Sequence, residues 1–254
     1  MLREIKTRAM AHDGVLALYA RVRLLKDLLF YGMQDPHRSS LIWNVSAYTM
    51  ASYQRLCNAY DLARQAESQK LAGAFVECGV WRGGCIGLMA AVAKEFGSRR
   101  KIWLFDSFEG LPEPAVEDGL QAHTVAGTSA GDLKPIKQCV GPLEIVKHLF
   151  FHKLKIDDRD AIFCKGWFQE TLPLVKTDVG PIAVLRLDGD WYESTKICLD
   201  SLYDQVVPGG FVIIDDYGAW EGCRRAVDEF LKARQLQIVW NEVDYTGRYF
   251  VKPA

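Results

Sequence analysis

From Ala74 onward the chain alternates short apolar runs with longer amphipathic stretches, and this alternation constrains the fold more than any other feature. Five runs are rich in Val, Ile and Phe: AFVECGV (74–80), KIWLFDSF (101–108), AIFCKGWF (161–168), IAVLRLDG (182–189) and GFVIIDDY (210–217). Nearly continuous apolar runs are typical of strands covered by helices on both faces. Because βαβ crossovers are right-handed, the pattern predicts a doubly wound, parallel α/β sheet.

The end of the chain departs from this alternation. The stretches QIVWNEVD (237–244) and GRYFVKP (247–253) are separated only by Tyr245 and Thr246, which predicts a hairpin and therefore one antiparallel strand. A seven-stranded, mostly parallel sheet with an antiparallel C-terminal hairpin resembles the methyltransferase variant of the Rossmann-like fold more than the dehydrogenase variant.

Two segments lie outside this strand pattern. Residues 1–70 contain long helical patterns such as VLALYARVRLLKDLLF (15–30), so we expect a helical N-terminal extension that caps the sheet or dimerises. Residues 71–254 would then form the main domain. Within it, residues 109–140 are rich in Gly and Pro and predict a long loop that acts as a lid over the strand ends.

Composition excludes several classes of protein. The 31 Lys and Arg residues balance 32 Asp and Glu residues, so no basic field exists to attract a nucleic acid. The sequence contains neither an apolar run long enough to span a bilayer nor a signal-peptide pattern, so we expect no membrane partner. The seven cysteines include no CxxC pair and predict a reduced, cytoplasmic protein.

The first strand ends in a glycine turn that opens a helix, ECGVWRGG, in which Gly79 and Gly83 would let backbone approach a ligand. The dinucleotide fingerprint needs a third glycine where this chain has Trp81, directly after Val80, so a pyrophosphate is disfavoured. Glu77, at the strand end, suits a cationic ligand such as the amino group of S-adenosylmethionine. A simple tight turn is the alternative.

The second and third strands also end in candidate binding residues. Asp106 is placed where an acid accepts hydrogen bonds from the ribose hydroxyls of a nucleoside. Ser107 and Phe108 follow it. Aromatic rings near the same edge could pack on adenine, although packing in the core is an equal alternative for them. They belong to the run Gly166, Trp167 and Phe168.

Acids at the ends of the fourth and fifth strands form the strongest constellation. Asp188 and Asp190 end one strand, and Asp215 and Asp216 end the next, which would be its neighbour in the sheet. Crowded carboxylates repel one another, and a divalent cation relieves the repulsion. Ligands that are all oxygen favour Mg²⁺. Helix capping is the alternative for Asp190 and Asp216, and the nearby basic residues in the sequence are Arg186 and Lys196.

The motifs ECGVWRGG, LFDSFEGLP, KGWFQETLP, LRLDGDWYEST and PGGFVIIDDYGAWEGCRRAVDEF together resemble the macrocin O-methyltransferase family, over residues 74–235. The resemblance implies methyl transfer from S-adenosylmethionine to a sugar hydroxyl of a glycoside, with Mg²⁺ as cofactor. It implies metal ligation by Asp188, Asp215 and Asp216, and a catalytic base at Asp190. It places the following residues at the donor: Thr49, Met50, Glu77, Gly79, Val80, Trp81, Gly83, Asp106, Ser107, Phe108, Gly166, Trp167, Phe168 and Asp188.

The sequence leaves the acceptor open, because it departs from the family before residue 45 and within 112–140, which shape the acceptor pocket there. A catechol-type O-methyltransferase acting on a phenol is one alternative. A nucleotide-dependent α/β oxidoreductase is another, although Trp81 counts against it. We also expect a homo-oligomer, a dimer or larger, formed with the help of the helical extension.

Overall fold

The structure, a computed structural model, describes residues 13–253 and contains one seven-stranded sheet. Its strands lie in the order β3-β2-β1-β4-β5-β7-β6. The bounds are β1 Ala74–Cys78, β2 Ile102–Asp106, β3 Ala161–Lys165, β4 Ile182–Leu187, β5 Val206–Ile214, β6 Asn241–Glu242 and β7 Arg248–Val251.

The first five strands run parallel, whereas β7 pairs antiparallel with both β5 and β6. The predicted doubly wound sheet with an antiparallel C-terminal hairpin is therefore confirmed. The hairpin ladder is shorter than predicted, because β6 has two paired residues. Just before it, the Trp240 ring packs edge-on against Phe250, 5.4 Å between ring centroids, so side-chain packing replaces strand pairing there.

Helices cover both faces of the sheet, and every residue of the central strands β1, β2 and β4 is buried. Two hydrophobic clusters, one on each face, explain why the strand sequences are apolar without alternation. The α-helices of the described residues are α1 Asp13–Tyr31, α2 Pro36–Val45, α3 Tyr53–Ser68, α4 Gly84–Glu95, α5 Gly119–Ala126, α6 Leu143–Lys147, α7 Phe168–Val179, α8 Tyr192–Leu202 and α9 Glu221–Ala233.

Residues 109–140 are more ordered than the predicted loop. A 3₁₀ turn, Val116–Asp118, leads directly into α5, so the expectation of a loop without secondary structure is wrong for residues 116–126. The carboxylate of Asp118 accepts hydrogen bonds from the backbone N–H of Ala115 (2.8 Å) and of Tyr192 (2.6 Å). Asp118 thereby anchors the segment to the start of α8, and we call residues 109–140 the anchored segment.

The helical N-terminal extension is present over its described part. Helix α3 packs against α4 and buries Leu56 and Ala63 completely. Helix α1 buries Leu24 but leaves a row of large apolar side chains exposed. Among the described residues, no helix is both long and apolar enough to cross a bilayer.

Candidate active site

The carboxyl ends of the parallel strands surround a cavity of about 220 Å³. Fifteen of the seventeen residues proposed from the sequence line it: Thr49, Met50, Glu77, Gly79, Val80, Trp81, Asp106, Ser107, Gly166, Trp167, Phe168, Asp188, Asp190, Asp215 and Asp216. The two exceptions, Gly83 and Phe108, stabilise the fold and do not line the cavity. Gly83 is the left-handed N-cap of α4 and faces Val146, and Phe108 is buried in the hydrophobic core.

The glycine turn is held against β4 and β2. A side chain at Gly79 would place a Cβ 1.8 Å from the carbonyl oxygen of Asp188, so glycine is required there. Asp106 Oδ2 accepts hydrogen bonds from the backbone N–H groups of Val80 (2.8 Å) and Trp81 (3.1 Å). Asp106 therefore shapes the turn, and its predicted contact with ribose hydroxyls stays a prediction.

Glu77 is 1% exposed and has partners for both carboxylate oxygens. Oε2 accepts from the backbone N–H of Ile86 in the first turn of α4 (3.0 Å), and Oε1 pairs with the guanidinium of Arg186. A carboxylate at a helix N-terminus is favoured by the helix dipole. Glu77 thus places negative charge in the cavity wall, while its direct contact with a donor amino group stays a prediction.

Asp188, Asp215 and Asp216 each offer one carboxylate oxygen, and these atoms lie within 4.8 Å of one another. Asp216 Oδ2 is buried and has no hydrogen-bond partner in the described part of the chain. Burial raises the pKa of Asp216 well above its ordinary value, and the charges of Asp190 and Asp188 raise it further. A buried carboxylate without a partner is costly, and a bound cation would remove that cost.

Two arginines reach these acids, and sequence reasoning found only one of them. Arg186 on β4 donates to Glu77, to Asp188 (2.9 Å) and to Asp215. Arg55, 160 residues before Asp215 in the chain, donates to the other oxygen of Asp215 from α3. It was missed because an arginine in an amphipathic helix carries no signal of what it faces.

Arg55 also ties the C-terminal hairpin to the site. Its Nε donates to Asp244 Oδ2 (2.9 Å) and its Nη2 donates to Thr246 Oγ1. Burial by itself lowers the pKa of Arg55, but the charges of Asp215, Asp216 and Asp244 raise it above the ordinary value. The helical extension therefore supplies a permanently charged residue that braces Asp215.

Lys196, the second basic residue near these acids in the sequence, does not take part in the site. It pairs with Asp200 one turn along α8, 2.6 Å away, as an exposed i,i+4 ion pair.

The cavity is lined by six carboxyl groups and two guanidinium groups. An excess of oxygen ligands therefore remains after both arginines are paired, which fits a hard divalent cation such as Mg²⁺.

Asp190 does not cap a helix with its side chain, so the capping alternative fails for it. Its Oδ1 accepts a hydrogen bond from the indole Nε1 of Trp220 (2.8 Å), and its backbone is left-handed, with φ of 56°. Burial raises the pKa of Asp190 to about 8, the charge of Asp188 adds to this, and the Trp220 hydrogen bond opposes it. Asp216 likewise makes no side-chain cap on α9.

The strand order, the antiparallel β7, and a glycine turn facing a cluster of strand-end acids define a methyltransferase of the Rossmann-like class. A model of the macrocin O-methyltransferase (TylF) family matches residues 27–252. The chain belongs to this family, and it is an S-adenosylmethionine-dependent O-methyltransferase.

Two relatives and one solved structure illustrate the similarity. The 8-demethyl-8-(2,3-dimethoxy-alpha-L-rhamnosyl)-tetracenomycin-C 4'-O-methyltransferase of Streptomyces olivaceus is 38% identical over 222 residues, covering 85% of this chain and 80% of the relative. Demethyldecarbamoylnovobiocin O-methyltransferase of Streptomyces niveus is 37% identical, covering 82% of this chain and 77% of the relative. The structure of the O-methyltransferase NovP superposes with a TM-score of 0.69 at 32% identity, covering 82% of this chain and 83% of NovP.

Proposed function

We propose that this protein transfers a methyl group from S-adenosylmethionine to a hydroxyl of a sugar on a glycosylated natural product, with Mg²⁺ bound at the strand-end acids. The observation that carries the proposal is the convergence of Asp188, Asp215 and Asp216 at the cavity that the glycine turn also lines. The names of the two relatives, which act on a rhamnosyl tetracenomycin and on a novobiocin precursor, support a glycoside acceptor.

The donor would lie along the glycine turn. Tyr48, Thr49 and Met50 close one side of this part of the cavity, and the Tyr48 carbonyl accepts from the N–H of Gly84 (2.9 Å). Trp167 and Phe168, at the start of α7, also line the cavity and offer an aromatic surface on which adenine could pack. The acids of the cavity would also face the sulfonium and ammonium groups of the donor, and their negative charge matches the positive charge of those groups.

The three clustered aspartates would hold the Mg²⁺. A divalent cation there lowers the pKa of a nearby acceptor hydroxyl, which is otherwise a poor nucleophile at neutral pH. Arg55 and Arg186 hold Asp215 from two directions, so the ligand set is pre-oriented by the fold.

Asp190 would accept the proton that the hydroxyl releases as the methyl group moves. Trp220 occupies Oδ1, Asp190 lines the cavity, and Oδ2 has no hydrogen-bond partner among the described residues, which leaves that oxygen for the substrate.

The anchored segment, residues 109–140, would form the acceptor entrance and lid. Its residues Leu111 and Pro112 line the cavity, and Val116 and Leu120, on either side of the anchor Asp118, are 76% and 79% exposed. Apolar side chains at a cavity entrance suit the aglycone of a glycoside.

An acceptor screen with methyl-labelled donor tests the reaction. We expect label in glycosides bearing free sugar hydroxyls, no label in catechols, and loss of transfer when EDTA removes Mg²⁺. Label in catechols alone would instead support the catechol-type alternative. Unchanged transfer in EDTA would contradict the metal assignment and leave the methyltransferase assignment intact.

We further propose that the protein self-associates through α1. Its exposed apolar side chains recur at spacings of three, four and seven residues, which place them on one face of the helix, and an identical stripe on a second copy is self-complementary. The stripe comprises Val15, Leu18, Tyr19, Val22, Leu29 and Phe30 of α1, together with Met33 in the 3₁₀ turn that follows α1.

The double variant Leu18→Glu, Leu29→Glu is expected to reduce the mass measured by light scattering from a multiple of 28.7 kDa to 28.7 kDa. Charged residues within an apolar interface are strongly unfavourable. The matched control is Leu174→Glu, at an equally exposed leucine on α7, which should leave the mass unchanged. A wild-type protein that is monomeric would contradict the proposal.

A further inference from the structure

The backbone of Asp190 has a conformation that its sequence does not favour. A φ of 56° lies in the left-handed region, which residues other than glycine adopt infrequently and which surrounding contacts must maintain. Asp190 directly follows Gly189, and its carboxylate receives a single hydrogen bond from the described residues, from Trp220. That contact is therefore the principal side-chain restraint on the orientation of the carboxylate.

Trp220 is itself rigidly held. Its backbone N–H donates to the carbonyl oxygen of Asp216 (3.1 Å), which fixes it relative to the end of β5. Its ring packs edge-on against Trp191, 4.9 Å between centroids and 69° between planes, and is 7% exposed. The Trp191 indole in turn donates to the carbonyl oxygen of Pro112 (2.9 Å) in the anchored segment.

We infer that Trp220 is a positioning residue for methyl transfer: its indole N–H holds Oδ1 of Asp190 so that Oδ2 faces the acceptor. The inference rests on the proposed role of Asp190 as the proton acceptor. Trp220 connects two parts of the site. Its backbone is bonded to Asp216, which with Asp215 follows β5 as a proposed metal ligand, and its side chain is bonded to Asp190, three residues after the end of β4, which would receive the proton. The distance between these two groups is thereby set by one rigid side chain.

The alternative is that Trp220 is a core residue whose indole N–H needed some acceptor. Buried indoles usually do find a partner. However, this protein contains two other buried indole nitrogens, those of Trp81 and Trp103, without a hydrogen-bond partner in the described part of the chain. The fold tolerates unpaired indoles, so the bond to Asp190 is not explained by the need of the tryptophan alone.

The test is Trp220→Phe, which keeps a ring for packing and removes the N–H. We expect kcat to fall by about ten- to a hundredfold, since small misplacements of a catalytic group cost this much. The KM of the donor, the affinity for S-adenosylhomocysteine and the affinity for Mg²⁺ should remain within about twofold, because the Trp220 side chain does not line the cavity and its bond to Asp216 is made by the backbone, which the substitution keeps. Trp220→His, whose ring N–H can still donate, should recover part of the lost kcat.

A double-mutant cycle separates positioning from general damage. In an Asp190→Ala background there is no carboxylate to orient, so Trp220→Phe should cause no further loss of kcat. The matched control is Trp103→Phe, at a buried tryptophan on β2 whose indole has no partner and which should leave kcat unchanged.

A kcat of wild-type size for Trp220→Phe, or a loss of the same size in the Asp190→Ala background, would overturn the inference. Failure of the proposed function gives a different result, namely that Asp190→Asn itself retains the wild-type rate. If Trp220→Phe does not fold, the same cycle with Trp220→His decides: a loss of kcat that is equal in the wild-type and Asp190→Ala backgrounds assigns Trp220 to packing.

Discussion

Asp216→Asn is expected to abolish Mg²⁺-dependent methyl transfer, with kcat reduced by at least about a hundredfold, the scale of losing several kcal/mol of metal stabilisation. The metal-free protein should be as stable as the wild type or slightly more stable. The reason is that Asp216 Oδ2 is buried with no partner, so replacing the carboxylate removes a desolvation cost and breaks no ion pair. Thermal denaturation with and without Mg²⁺, together with titration calorimetry of Mg²⁺, provides the measurement.

A comparison with Asp215→Asn separates the loss of metal binding from a general loss of stability. Asp215 pairs with both Arg55 and Arg186, so its replacement leaves two buried guanidinium groups with fewer partners. We expect that variant to lose about 3 kcal/mol of unfolding free energy even without metal. The stabilisation that Mg²⁺ confers should vanish in both variants. An Asp216→Asn protein that Mg²⁺ still stabilises like the wild type would remove Asp216 from the ligand set.

Asp190→Asn should lower kcat by about 10²- to 10⁴-fold, the range for loss of a general base, while donor and metal affinities remain. The amide has the size of the carboxyl group, and its Oδ1 can still accept from Trp220, so the geometry is retained. Single-turnover transfer of labelled methyl, with calorimetry of S-adenosylhomocysteine and Mg²⁺, measures the three quantities separately.

Asp200→Asn provides the matched control for Asp190→Asn. Asp200 is an exposed aspartate on α8 that pairs with Lys196, and exposed i,i+4 pairs contribute about 0.5 kcal/mol or less. Its replacement should leave kcat unchanged. If Asp190→Asn also keeps the wild-type rate, the proton goes to another group. The left-handed backbone of Asp190 then serves only to direct the chain into α8.

The strands were predictable because burial on both faces leaves a strong local signal. The ends of β1, β2 and β4 carry Glu77, Asp106 and Asp188, and parallel strands bring such residues to one edge whatever the details of the loops. The convergence of these acids follows from strand order and needs no knowledge of side-chain contacts. The helical part of residues 109–140 was missed because its first turn contains glycine and its anchor, Asp118, bonds to a distant backbone.

The sequence by itself determined the doubly wound sheet, the glycine turn and the set of acids, since each depends on residues close together in the chain. Only the tertiary structure decided how those acids are balanced and oriented. Arg55 reaches Asp215 across 160 residues, and Trp220 reaches Asp190 across 30. Such contacts depend on how helices pack on the sheet, and local propensity does not encode the partner of a distant side chain. The charge balance of the active site and the orientation of its side chains therefore depend on the packing of the whole molecule.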